Sequence, residues 1–138
     1  MTPYDEIYRY FLRKPKSQEL KELLEEDLEL GKERLFDFLE SAIPKFTYCN
    51  HLSDRDNDLK QFNNNLTDIE KEILATLMVV EYLSPSLLRE DLLANSLGSK
   101  DYQVFSPANQ AKEIRSIRAI YENEAKSLMR DYYYGQGI

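Results

Sequence analysis

A chain of 138 residues with 18 basic and 25 acidic side chains, a net charge of −7, four glycines, five prolines, ten tyrosines and no tryptophan has the length of one ordinary domain. It lacks the basic stripe that a duplex-gripping DNA-binding surface needs, and no apolar run nears the roughly 20 residues that span a bilayer. The single Cys49 excludes an internal disulfide, and the acid-bearing N-terminus shows no apolar leader core, so a reduced, intracellular site of synthesis is expected.

Few turn residues over this length imply few, long elements. The spacing predicts an all-α fold, a small bundle of about four to five helices in one domain over 1–131. The first helix is expected near 3–13. Thr2 is placed to cap it with Pro3 in the first position, and Tyr4, Ile7, Tyr8, Phe11 and Leu12 recur at helical spacing. Pro15 ends it, because the residue before a proline is pushed out of the α region.

A second helical region, near 17–42, opens at Ser17 and carries Leu20, Leu23, Leu24, Leu28, Leu35, Phe38, Leu39 and Ala42. Gly31 inside this pattern costs about 1 kcal/mol relative to Ala, so a break or bend is expected between Glu26 and Gly31. Pro44 stops the run. Residues 17–43 hold nine acids against Lys21, Lys32 and Arg34. Among them Glu22, Glu25, Glu26, Glu29 and Glu33 form a candidate acidic surface; taken by themselves, such runs are solvated helix faces.

Residues 44–66 differ in kind. Lys45 to Cys49 alternates briefly and reads as a short strand or an extended arm. Ser53 to Asn65 is polar and reads as a long central loop, a length usually tied to function or mobility. Order returns at Thr67. Thr67 and Glu70 make a capping box, and Ile69, Ile73, Leu74, Leu77, Met78, Val80 and Tyr82 mark a helix near 68–83 buried on most sides. A shorter helix is expected near 86–97, ended by Gly98. Ser106 and Pro107 open a last helix near 107–131, with small residues at 108, 111 and 125 for close packing. Residues 132–138, including Tyr132, Tyr133, Tyr134 and Ile138, read as a flexible, sticky tail.

No catalytic constellation stands out. Cys49 and His51 are the lone members of their types, two residues apart, with no further Cys or His to complete a zinc site, and read as loop residues. Asp54, Asp56 and Asp58 begin like a calcium loop, but Leu59 and Asn65 stand where that loop wants Gly and Glu. There is no phosphate-cradling glycine turn and no nucleophile elbow. Neither an enzymatic activity nor a cofactor is expected.

Several short motifs, in this order, resemble one family. Asp5-Glu6-Ile7-Tyr8 with Phe11-Leu12, then Ala42-Ile43-Pro44 with Phe46, then Leu66 to Met78 are similar to segments of the small head–tail connector (adaptor, or neck) proteins of tailed bacteriophages. Lys100-Asp101-Tyr102, Ser106-Pro107-Ala108-Asn109 and the closing Ala125, Leu128 and Tyr132-Tyr133 extend the likeness over most of the chain. Gln110, where a His is common, the missing Trp near Tyr82, and Pro85 inside an otherwise continuous helix depart from it.

The resemblance implies a structural virion protein of the neck, made in the host cytoplasm. Such proteins form a ring, generally of twelve subunits, under the portal protein. They extend the DNA channel and present a platform for the stopper or tail-completion protein; free subunits can be monomers, and no membrane is involved. The acidic face would then line the channel and let packaged DNA pass without sequence-specific binding. Tyr132, Tyr133, Tyr134 and Ile138, with Phe46 and Tyr48 of the 45–65 segment, would contact partners. The alternative from another class is a cytoplasmic helical regulatory or scaffolding module that binds a partner and forms no ring.

Overall fold

Helix α4 is the element around which the others are arranged. In the computed structural model, which describes residues 1–14, 18–84 and 107–135 (side chains at 18–20 and 107–111 excepted), α4 spans Asp68–Tyr82. Its start is the capping box read from the sequence: Thr67 Oγ1 accepts from the Glu70 amide at 3.3 Å, and Glu70 Oε1 accepts from the Thr67 amide at 2.8 Å. Every side chain from Ile73 to Val80 is buried. The cover comes from α1 (Tyr4–Leu12), α3 (Leu28–Ala42) and α5 (Pro107–Tyr134), all of which pack on α4. The described residues form a mostly helical small bundle of five α-helices.

The core joins Tyr4, Ile7 and Phe11 of α1 to Leu35, Phe38 and Leu39 of α3 and to Ile73, Leu74 and Met78 of α4. Tyr82 meets Phe11 and Phe38 edge-on, at centroid separations of 6.1 and 5.6 Å, the arrangement favoured by the ring quadrupoles. At the rim, Lys71 pairs with Glu6 at 2.9 Å, while Lys14 pairs with Glu72 and Lys45 with Glu81.

The helical region expected over 17–42 is two helices. Asp27 leaves the helical region at φ −145°, and its carboxylate accepts the Leu30 amide at 3.1 Å, capping α3. Helix α2 (Gln18–Glu26) packs against α3 and touches α1. Gly31 makes that return possible, since a Cβ there would lie 2.5 Å from Leu24 Cδ2 and 3.3 Å from Leu24 Cα. The break falls inside the expected Glu26–Gly31 window, and close approach of two helices is its physical reason.

Residues 44–66 correct the sequence reading twice. No strand or extended arm occurs at 45–49; two 3₁₀ turns, Ile43–Lys45 and Asn50–Ser53, flank that stretch and bury Ile43, Phe46, Cys49 and Leu52. The polar part is a hairpin. β2 (Arg55–Asp56) pairs antiparallel with β3 (Gln61–Phe62), and β3 pairs with β1 (Thr2–Pro3), giving a small sheet of order β1–β3–β2. Asp56 Oδ1 accepts the Asp58 and Leu59 amides at 2.9 and 3.0 Å, an Asx turn, and Lys60 completes the loop at φ 55°. The acidic triplet 54–58 is therefore hairpin chemistry.

Thr2 does not cap α1; Pro3 holds the N-cap position without a side-chain bond. The Thr2 hydroxyl instead donates to Asn64 O at 3.0 Å and accepts the Leu66 amide at 2.9 Å, sewing the N-terminus to the residues before α4. Helix α5 is 28 residues long, about 42 Å at 1.5 Å per residue. It continues through Tyr134, so Tyr132 to Tyr134 are its last turn and not a flexible tail. The expected helix at 86–97, its Gly98 cap, the Ser17 and Ser106 caps, Pro15, Pro85 and Ile138 lie outside the described residues. Among the described residues no helix is long and apolar enough to cross a membrane.

Candidate functional site

The first turn of α4 carries a buried carboxylate, and two other elements aim polar groups at it. Glu70 is held there by the helix cap, with Oε1 committed to the Thr67 amide. Its other oxygen, Oε2, meets Tyr132 Oη at 2.8 Å, His51 Nε2 at 2.7 Å and Cys49 Sγ at 3.2 Å. Cys49 Sγ in turn lies 3.4 Å from His51 Nε2. The group gathers the last turn of α5, the turn around residues 49–51 and the start of α4 at one point.

Each local placement has a cause in the chain. Phe46 is buried against the Tyr132 ring at 5.0 Å in an edge-on contact, which fixes both the 46–49 turn and the end of α5. Ala125 of α5 is fully buried in the core, and the packing of α5 on α4 brings Tyr132 to Glu70. An open cleft of about 390 Å³ lined by His51, Asn64, Asn65, Thr67, Glu70 and Tyr132 leads from solvent to the carboxylate.

The electrostatics follow from this crowding. Burial by itself would raise the Glu70 carboxyl. The Thr67 amide, the Tyr132 hydroxyl, the Cys49 thiol and the neighbouring His51 together outweigh it and hold the group below its ordinary value. Glu70 is thus an ionised, buried and fully hydrogen-bonded carboxylate, the condition under which burying a charge is tolerated. Cys49 moves the other way: burial first, and the facing carboxylate second, push its thiol up to about 11. A neutral thiol is a poor nucleophile. Tyr132 is likewise raised, by burial and by its bond to Glu70.

The residues expected to meet partners divide. Tyr132 and Phe46 are core residues, which corrects their reading as surface contacts: both are buried and their rings pack edge-on against one another. Tyr48, Tyr133 and Tyr134 are exposed, and the fold gathers them into one patch, with centroids 4.7 Å apart for Tyr48 and Tyr133 and 5.5 Å for Tyr133 and Tyr134. Glu22, Glu25, Glu26, Glu29 and Glu33 are all exposed along α2 and the start of α3, and Leu28 and Leu30 stand among them at 57% and 40% exposure.

Sequence reasoning missed the cluster around Glu70. The capping box flagged that residue for Oε1 alone, whereas the partners of Oε2 lie 21 and 62 positions away for Cys49 and Tyr132. Counting only Cys and His as ligands also left a carboxylate out of consideration. Comparison with known proteins adds no identification: no family, no curated protein and no solved structure matches the chain.

Proposed function

We propose that this protein is a head–tail connector of a tailed bacteriophage, a structural protein that assembles as a ring under the portal, extends the DNA channel and receives the stopper or tail. The short motifs spread over the chain support the reading. The observation that carries it is the presence, on one small helical bundle, of two unlike exposed surfaces: five glutamates along α2 and the start of α3, and the Tyr48–Tyr133–Tyr134 patch.

Each surface suits one task of such a ring. Carboxylates repel the phosphate backbone, and at physiological ionic strength that repulsion acts within about 8 Å. A channel wall so lined keeps passing DNA from adhering without holding it at a distance. Tyrosines give a large contact area at small rotamer cost, which suits a docking face for the portal or the neighbouring subunit. Because Tyr132 anchors α5, the docking function falls to Tyr133, Tyr134 and Tyr48.

The test is binding of the full chain to purified rings of its cognate portal, compared with a variant carrying Tyr48→Ala, Tyr133→Ala and Tyr134→Ala. Loss of one interface hot spot, about 2 kcal/mol, corresponds to about thirtyfold in affinity, so the triple variant is expected to lose at least that. Undiminished binding removes the aromatic patch from the interface. Absence of binding by the unaltered chain favours a helical regulatory or scaffolding module.

A further inference from the structure

Cys49, His51 and Glu70 offer a sulfur, an imidazole nitrogen and a carboxylate oxygen from two elements, all within 4.8 Å of one another. We infer that these three side chains form a binding site for a borderline-soft divalent transition metal, with zinc(II) as the natural occupant. This departs from the sequence expectation, which set Cys49 and His51 aside for want of a further Cys or His.

The distances carry the argument. A tetrahedral zinc ion with ordinary bond lengths holds sulfur about 3.6 Å from nitrogen and from oxygen, and nitrogen about 3.3 Å from oxygen. The corresponding separations are 3.4 Å for Cys49 Sγ to His51 Nε2, 3.2 Å for Cys49 Sγ to Glu70 Oε2 and 2.7 Å for His51 Nε2 to Glu70 Oε2. The three donors sit on one small triangle and need to spread by about 0.2 to 0.6 Å to admit the ion, most between His51 Nε2 and Glu70 Oε2. Hard cations are disfavoured, because calcium and magnesium take oxygen-rich shells whereas thiolate and imidazole select zinc and its neighbours.

The surroundings complete the site. Tyr132 donates to Glu70 Oε2 at 2.8 Å and the Thr67 amide to Oε1 at 2.8 Å, so the carboxylate is oriented by groups that are not themselves ligands. The cleft bordered by His51, Asn64 and Asn65 gives the ion a way in and leaves room for water as a fourth ligand. Ligation requires the thiolate, so the Cys49 proton leaves to solvent as the metal–sulfur bond forms. Bound metal would tie residues 49–51 to the start of α4, beside the Tyr132 anchor of α5.

The test is a cobalt(II) titration of the full chain, kept reduced by a phosphine, with Cys49→Ser and His51→Gln as variants. Both replacements are close in size, and His51 is partly exposed, so the fold is retained, as circular dichroism checks. The unaltered chain is expected to bind one cobalt with intense tetrahedral ligand-field bands and a thiolate-to-cobalt charge-transfer band, both lost on adding zinc. C49S should lose the charge-transfer band. H51Q should bind at least about 100-fold more weakly, since altering groups that merely support a ligand already costs 10- to 100-fold. A chain that gives no thiolate band, or variants that bind as tightly as the unaltered chain, would show that the triad is a hydrogen-bonded cluster only and overturn the proposal. The readout is independent of portal binding, so it stands or falls apart from the connector reading.

Discussion

Tyr132 donates its hydroxyl to Glu70 Oε2 at 2.8 Å, joining the last turn of α5 to the first turn of α4 across 62 residues of sequence. The same ring packs on Phe46, so one side chain fixes the long C-terminal helix, the central helix and the turn between α3 and the hairpin. The relationship makes Tyr132 structural, while Tyr133 and Tyr134 beside it stay exposed.

Tyr132→Phe keeps the packing and removes the hydroxyl from a buried, ionised acceptor. A hydrogen bond to a charged group contributes about 1.5–3 kcal/mol, and that is the destabilisation expected in urea or guanidinium unfolding. Tyr132→Ala also loses the ring and should cost about 3–5 kcal/mol. Equal stability of Tyr132→Phe and the unaltered chain would mean that Glu70 does not depend on this donor. Deletion of 132–138 should destabilise the domain for the same reason, and is therefore no clean probe of docking.

Gly31→Ala sets two effects against each other. Helix propensity alone favours Ala by about 1 kcal/mol. Against it, the new methyl meets Leu24, including its Cα at 3.3 Å, so backbone as well as side chain must shift. Overpacking of this kind costs about 1–3 kcal/mol, and a net loss of stability is expected. A stabilised variant would show that α2 yields freely and that its contact with α3 is loose.

Thr2→Val preserves shape while stranding the Leu66 amide and the Asn64 carbonyl, each now bonded to the Thr2 hydroxyl. Buried groups left unpaired cost about 1–3 kcal/mol. Hydrogen exchange should quicken first in residues 55–66, whose sheet is completed by Thr2–Pro3. Exchange unchanged in that segment would show that the hairpin holds without the N-terminal strand.

Glu22, Glu25, Glu26, Glu29 and Glu33 changed together to Gln should leave the fold intact, because exposed positions shift stability by about 0.5 kcal/mol or less each, with about 0.3–1 kcal/mol lost at Glu29, whose charge sits in the first turn of α3. Changed to Lys, they should give a protein that binds duplex DNA with a steep salt dependence. On the connector reading, the Lys form should slow DNA release from assembled particles while the Gln form does not. Equal release by both would remove these residues from the channel wall.

The parts of the fold legible in the sequence are those set by local chemistry. The Thr67–Glu70 box and the dense apolar run after it placed α4 and its buried character, and the apolar spacing placed α1, α3 and most of α5. The break at Asp27 was visible only as a weak glycine signal, because its cause is the approach of Leu24 to Gly31 across two helices. The sheet escaped notice because its strands are two residues long, too short to show alternation, and one of them is the N-terminus itself. The cluster at Glu70 was illegible for a related reason: its members come together only when α5 lies on α4. Tyr132 seemed part of a sticky tail because nothing within its own segment reveals a buried acceptor in a distant helix.

The most direct test of the connector reading is negative-stain electron microscopy of cognate portal rings incubated with this protein. An added annulus of density is expected at the tail-facing end of the portal, of the same rotational symmetry as the ring it extends. Bare portals, under conditions where the same rings accept their other partners, would contradict it.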